Sequence, residues 1–391
     1  MTTLTGLDVL IGRDFAELRG RRVGLLTNPS AVTRHLTSAY RTFADSPGVD
    51  LRALYGPEHG FAASAADGAH VESSVDARTG VPVHSLYGPS LRPSAAMLDG
   101  IDVLVCDIQD IGVRYYTFAW TVSIAIEAAG EAGLDVIVLD RPNPLGERID
   151  GLPGSDEFAS LVGLHPIPVQ HGLTLGELMR LVNRQWSPTP AVLTVIPCQG
   201  YTPGAAWAES GLPFVPPSPA MPHISTVLQY PGACLLEGTN LSEGRGTALP
   251  FEVCGAPFIE AEALADALND LGLPGARFRP HVFRPTSSKH AGETCFGVQV
   301  HVTGPDYRPL AAWVAVLQTV RRQYPDDFVW LPPYAGSTVR PFDRLARGVE
   351  LRGQVDAHTP LDVLTAEWDA AAVTWRALRE EALLYPRGQK P

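Results

Sequence analysis

The chain has 391 residues, 45% hydrophobic and 18% charged, with a formal net charge of −12. That length exceeds the usual ceiling for one hydrophobic core, so two domains are expected, and the balance of residues excludes a disordered chain. No window approaches the roughly 18 consecutive apolar residues of a membrane-spanning helix, and the negative charge disfavours nucleic acid and anionic membranes as partners, with Lys present only at Lys289 and Lys390.

The first 200 residues alternate short β-branched apolar runs with longer segments of helical spacing, the pattern of a mostly parallel sheet with crossover helices. Strands are expected at 22–27, 51–55, 101–106, 135–139 and 191–196. A helix is expected over 117–130, ended by Gly130 and Gly133, and another over 175–183 with Thr174 as cap and Glu177 completing a capping box. The prolines at 213, 216, 217, 219 and 222 exclude helix and central strand there. Beyond them the spacing predicts helices over 260–271, 310–324 and 360–384 and a strand over 297–302. The fold expected is α/β: a sheet domain over 1–233 and a smaller α+β domain over 234–391.

In an open parallel sheet, ligands gather beyond the carboxyl ends of the strands. Four of the runs end in polar residues: Asn28, Glu58 with His59, Asp107 with Asp110, and Asp140-Arg141 with Asn143. Any one of these sites also reads as a turn former or helix cap. Glu58 stands out because Gly56, Pro57 and Gly60 hold a tight backbone around it and His59, as general acid catalysis demands; a solvated turn is the plainer alternative. Asp107 and Asp110, near Arg114, Tyr115 and Tyr116, suit holding a sugar's hydroxyls or orienting a water, while Arg114 simply neutralising Asp110 is equally common. Further on, Glu237, Asn240, Glu243 and Arg245 lie in a glycine-containing stretch without Gly-Lys-Ser/Thr. It reads either as a site for a neutral or singly anionic ligand or as a hinge whose charges pair with each other.

Histidines 59, 70, 84, 171 and 223 lack metal-ligand spacing, and no Gly-x-Ser-x-Gly elbow is present. No metal and no cofactor are expected. The odd set Cys106, Cys198, Cys234, Cys254 and Cys295 reads as buried thiols. The first residues lack the basic and apolar segments of a secretory signal, so a cytoplasmic location is expected.

Several long segments occur in one order: Gly24-Leu25-Leu26-Thr27-Asn28-Pro29-Ser30, Tyr55-Gly56-Pro57-Glu58-His59-Gly60-Phe61, Ser85-Leu86-Tyr87-Gly88, residues 107–116, Leu139-Asp140-Arg141-Pro142-Asn143-Pro144-Leu145-Gly146, residues 216–222 and residues 235–250. Over about residues 6–345 the chain thereby resembles the exo-β-N-acetylmuramidases, once an uncharacterised family, which remove terminal N-acetylmuramic acid from peptidoglycan fragments. The resemblance implies a Rossmann-like sheet domain, a smaller C-terminal domain and an active-site cleft between them. It implies Glu58 as the catalytic acid; the second role is left between Asp107 or Asp110 as base or nucleophile and attack by the substrate's own acetamido group with a carboxylate or Tyr116 orienting it, and His59 beside Glu58 is a further catalytic candidate. The other motif residues Asn28, Arg114, Tyr115, Asp140, Arg141, Asn143, Glu237, Asn240, Glu243 and Arg245 are carried over as cleft residues and, with His171 outside the motifs, are the substrate-binding candidates. The implied partner is a small sugar substrate, a disaccharide or muropeptide containing N-acetylmuramic acid, in an intracellular recycling role. A non-catalytic sugar-binding protein, a hydrolase of a related amino-sugar glycoside and a metal-dependent phosphoesterase are the rival expectations. After Phe61 the chain departs from the family's glycine- and acid-containing loop and reads Ala62-Ala63-Ser64-Ala65-Ala66-Asp67-Gly68-Ala69-His70.

Overall fold

The five β-branched runs all form strands, and they lie side by side in one sheet. A computed structural model describes residues 2–62, 72–88 and 90–388; most of the departing loop, His70 and Lys390 lie outside these described residues. Contacts divide the chain into two compact units, the first made of Met1–Arg148, His171–Pro219 and Arg376–Pro391, the second of Ile149–Gln170 and Ala220–Trp375. The sequence suggested one boundary near 233, whereas the chain passes between units at four points. The proline-rich stretch does mark one of them, at Pro219. The excursion Ile149–Gln170 carries only a 3₁₀ turn, Asp156–Phe158, and so left no periodic signal.

The first unit holds β1 (Arg22–Thr27), β2 (Asp50–Gly56), β3 (Ser74–Val75), β4 (Pro82–Ser85), β5 (Val103–Asp107), β6 (Asp135–Leu139) and β7 (Val192–Ile196). Their order is β3-β4-β2-β1-β5-β6-β7, with β3 antiparallel to β4 and every other neighbouring pair parallel. Continuous apolar runs are needed because the central strands are covered on both faces: all of β5 is buried, and β1 is buried from Val23 onward. Val23, Leu25, Val103, Val105, Ile137 and Leu139 share one core with Leu7, Leu10 and Phe43. Registers of Leu26 opposite Tyr55 and Thr27 opposite Asp107 bring the carboxyl ends of β2, β1 and β5 level. Residues following these strands therefore emerge along one edge.

Helices α1 (Gly6–Gly12), α2 (Ala39–Asp45), α3 (Ala95–Leu98), α4 (Thr117–Glu131) and α5 (Leu175–Gln185) complete this unit. Ten residues of α4 are buried, among them Phe118, Trp120, Val122 and Ile126, so it is a core helix rather than an amphipathic cover. At α5 the expected capping box is present, with the Thr174 hydroxyl accepting from Glu177 N at 3.2 Å and the Glu177 carboxylate accepting from Thr174 N at 3.0 Å.

In the second unit, β8 (Val253–Ala256), β9 (Ala276–Phe283) and β10 (Cys295–Val302) form an antiparallel sheet ordered β8-β10-β9. It is joined by α6 (Ile224–Ala233), α7 (Ala261–Asp270), α8 (Pro309–Gln323), α9 (Pro341–Ala346), α10 (Glu350–Asp356) and α11 (Leu361–Arg379), the last belonging to this unit as far as Trp375. The fold is the expected α/β sheet domain with a smaller α+β partner. Among the described residues no helix is long and apolar enough to cross a membrane.

Thr174 serves α5 as cap and also donates to Asp140 Oδ2 at 2.7 Å. Thr174→Ala is expected to cost about 1–2 kcal/mol, read as a lower denaturant midpoint with an unchanged m-value.

Candidate active site

The turn after β2 is built from residues that accept unusual backbone angles. A Cβ on Gly56 would sit 2.5 Å from the Phe61 nitrogen, so only glycine lets the turn close. Gly60 N donates to Pro57 O at 2.9 Å, and His59 and Gly60 take left-handed φ values of 68° and 76°. His59 is buried with its ring edge-on to Phe118, centroids 6.4 Å apart. Glu58 is half-buried, and its Oε2 accepts from the Thr117 hydroxyl at 2.7 Å. The first residue of α4 thus orients the carboxylate presented by the turn. Thr117 lies one residue past the motif ending in Tyr116, and the pairing was not anticipated from the sequence.

At the end of β5 the two aspartates have different surroundings. Asp107 is fully buried and bound in bidentate fashion by Arg141, with Nε to Oδ1 at 2.6 Å and Nη2 to Oδ2 at 3.0 Å. Arg141 Nη1 donates to Val32 O at 2.9 Å. Burial pushes the Asp107 carboxyl upward, and Arg141 opposes this. Asp110 is also buried, and its Oδ2 accepts from Gly112 N at 2.7 Å. Gly112 has φ 77°, and any Cβ there would collide with the Asn143 amide. Asp110 Oδ1 has no hydrogen-bond partner among the described residues, and burial pushes this carboxyl up to about 7.

His171 Nε2 lies 3.9 Å from Asp110 Oδ2. His171 is fully buried and its Nδ1 accepts from Leu173 N at 3.2 Å. Burial, aided by Arg379, drives this imidazole down to about 3, so it is neutral. Arg114, Tyr115 and Tyr116 are buried beside this segment; the Arg114 carbonyl accepts from Trp120 Nε1 at 2.6 Å, and the Tyr116 ring meets Phe118 at 4.8 Å.

The remaining strand-end candidates are engaged within the protein. Asp140 accepts from Thr174 Oγ1 at 2.7 Å, Gly176 N at 2.8 Å and the Tyr385 hydroxyl at 2.5 Å. Burial raises its carboxyl to about 6 against those hydrogen bonds. Asn143 bridges Leu173 O and Leu145 N, each at 2.9 Å. Asn28 Oδ1 accepts from Ser30 N at 3.1 Å and Ser30 Oγ at 2.5 Å, while its amide donates to Pro217 O at 3.3 Å. These contacts fix the loops beyond the strands and leave little of the three side chains for a ligand.

The second unit carries its own polar cluster. Arg245 pairs with Glu237 at 2.8 Å and approaches Glu243 at 3.5 Å, while Lys289 pairs with Glu243 at 2.8 Å and donates to Leu236 O at 2.7 Å and Thr239 O at 3.0 Å. Asn240 donates to Asp327 O at 2.8 Å and accepts from Val329 N at 2.9 Å. Mutual pairing of the charges in this glycine-containing stretch is what is found, with Lys289 a partner that the local sequence did not point to. Arg245 stacks over Phe251 at 4.8 Å and keeps 18% of its side chain exposed. Among the described residues no group of His, Cys, Asp and Glu is placed to hold a metal ion.

Residues 23–225 match the profile described as exo-beta-N-acetylmuramidase NamZ, N-terminal, and residues 228–385 match its C-terminal counterpart. The chain belongs to the NamZ family. It is 42% identical over 383 residues to a Bacillus subtilis (strain 168) protein named peptidoglycan beta-N-acetylmuramidase NamZ, covering 97% of this chain and 91% of that one. Two solved structures of DUF1343 family proteins from Bacteroides fragilis NCTC 9343 share the fold. One has a TM-score of 0.91 at 37% identity, covering 98% of this chain and 99% of the other. The second has a TM-score of 0.77 at 28% identity, covering 99% and 100%. The motif resemblance to this family therefore holds along nearly the whole chain.

Burial of Asp110 has a signed consequence for stability. Its folded carboxyl titrates near 7 rather than at the ordinary 3.8, so the folded state binds the extra proton between those values and loses stability as pH rises through them. Asp110→Asn removes that loss. Urea unfolding of the two proteins at pH 4.5 and pH 8 is expected to show the variant's relative stability rising with pH; a constant difference would contradict the assignment.

Proposed function

We propose that this chain is a glycoside hydrolase that releases terminal N-acetylmuramic acid from the non-reducing end of peptidoglycan-derived fragments. The observation that carries this reading is the family match over both parts of the chain, together with a carboxyl group, Glu58, fixed on a rigid turn and bonded to Thr117. Hydrolysis of a glycoside requires a proton donor at the leaving oxygen and a second group that deals with the positively charged sugar centre. Glu58 is the donor in this proposal. Thr117 orients it.

For the second role, the surroundings favour Asp110 over Asp107. Both Asp107 oxygens are bound by Arg141, and a carboxylate so held has a structural task. Among the described residues Asp110 keeps one oxygen without a hydrogen-bond partner, and burial moves its proton affinity close to neutrality, which suits a group that alternates between acid and base. In the proposed sequence the glycosidic oxygen takes the Glu58 proton as the bond to the sugar carbon breaks. A water oriented by ionised Asp110 then gives one proton to that carboxylate as its oxygen bonds to the sugar carbon, which completes the product.

The test is turnover of a chromogenic β-N-acetylmuraminide. Glu58→Gln and Asp110→Asn are each expected to fold and to lose at least about 100-fold in kcat, and Thr117→Val to lose about tenfold with little change in KM. Near-wild-type turnover by folded Glu58→Gln would remove Glu58 from the mechanism.

A further inference from the structure

We infer that His171 is a positioning residue acting through Asp110, its Nε2–H directed at that carboxylate and setting the state in which Asp110 meets substrate and water. The inference rests on the assignment of Asp110 as the second catalytic group. Two sets of contacts fix the geometry. On the imidazole side, Nδ1 accepts from Leu173 N at 3.2 Å, which places the ring proton on Nε2, the atom 3.9 Å from Asp110 Oδ2. Arg379 Nη1 donates to the carbonyls of His171 at 3.2 Å and Gly172 at 2.7 Å, so the backbone bearing the ring is held from behind. Gly172 has φ 64°, and a Cβ there would collide with the Arg379 guanidinium. On the carboxylate side, Gly112 N holds Oδ2, and the Asn143 amide closes the space around Gly112.

Complete burial removes His171 from direct contact with a sugar, so its effect on chemistry passes through its neighbour. At 3.9 Å the pair is not yet a hydrogen bond, but a neutral N–H dipole aimed at a buried carboxylate favours the ionised form. Among the described residues, Asp110 and the Arg379 guanidinium are charged or titratable groups beside the ring. Burial, with Arg379 adding to it, keeps the imidazole neutral, so the ring does not itself titrate in the working range.

The experiment is the pH profile of kcat/KM on the chromogenic β-N-acetylmuraminide for wild type, His171→Leu, His171→Gln and Asp110→Asn, with folding checked by circular dichroism. Loss of the N–H donor raises the Asp110 carboxyl further. The acidic limb of His171→Leu should therefore move to higher pH by about half a unit or more, with kcat lowered about tenfold and KM within twofold. His171→Gln, whose side-chain amide can present a donor where Nε2–H stood, should bring the limb back toward wild type. If His171→Leu does not fold, His171→Asn takes its place: it keeps the acceptor for Leu173 N but not the reach to Asp110, and its limb should move. Inactive Asp110→Asn with an unmoved limb in the folded Leu or Asn variant overturns this inference alone. Fully active Asp110→Asn overturns the assignment of Asp110 and this inference with it.

Discussion

A carboxylate with no exposed surface sits at the end of the central strand β5, and the sheet edge around it depends on how its charge is met. Left unpaired, a buried charge of this kind costs several kcal/mol. Arg141 meets both oxygens of Asp107 and also bonds Val32 O. One guanidinium thereby ties the end of β5 to the chain leaving β6 and the chain leaving β1. The pair contributes geometry more than net stability, since desolvation offsets much of the attraction. Its consequence is that three strand ends keep fixed spacing, and the loops bearing Asn28, Asp110 and Asn143 start from a rigid base.

Asp140 extends the same logic along the edge. Its two oxygens collect a helix-cap hydroxyl, a helix backbone N–H and the hydroxyl of Tyr385. Tyr385 also accepts from Cys198 N at 2.8 Å, just beyond β7. Leu384 N and Arg387 both bond to Glu177, the other half of the capping box at α5. The C-terminal segment is thus part of the support for β6 and β7. With this scaffold saturated, Glu58 remains half-buried on its turn and Asp110 keeps an oxygen without a hydrogen-bond partner among the described residues. Reactive groups held on elements that have no spare freedom are what preorganised catalysis requires.

Much of this architecture is legible in the residues themselves. Buried parallel strands need uninterrupted apolar runs, so β1, β5 and β6 and the buried end of β2 declare themselves, β7 declares itself by its β-branched run although it lies largely exposed at the sheet edge, and Thr174 with Glu177 declares the start of α5. Strands β3 and β4 do not, because they are two and four residues long and partly exposed at the sheet edge. Glu58 was accessible through the glycines and proline around it, since their chemistry is local. Its partner Thr117 is 59 positions away, and Tyr385 is 245 positions from Asp140; no local pattern encodes such pairings. The same holds for the contrast between Asp107 and Asp110. Three residues apart in sequence, they differ because one meets an arginine from the chain after β6 and the other a buried neutral histidine.

The central claim is that the chain removes N-acetylmuramic acid from the non-reducing end of peptidoglycan fragments. The most direct test follows the wild-type protein by NMR on two disaccharides, one with N-acetylmuramic acid at the non-reducing end and one with the sugars in reverse order. The account predicts release of free N-acetylmuramic acid from the first and no cleavage of the second. Cleavage of both alike, or binding of the first without any product, would contradict it.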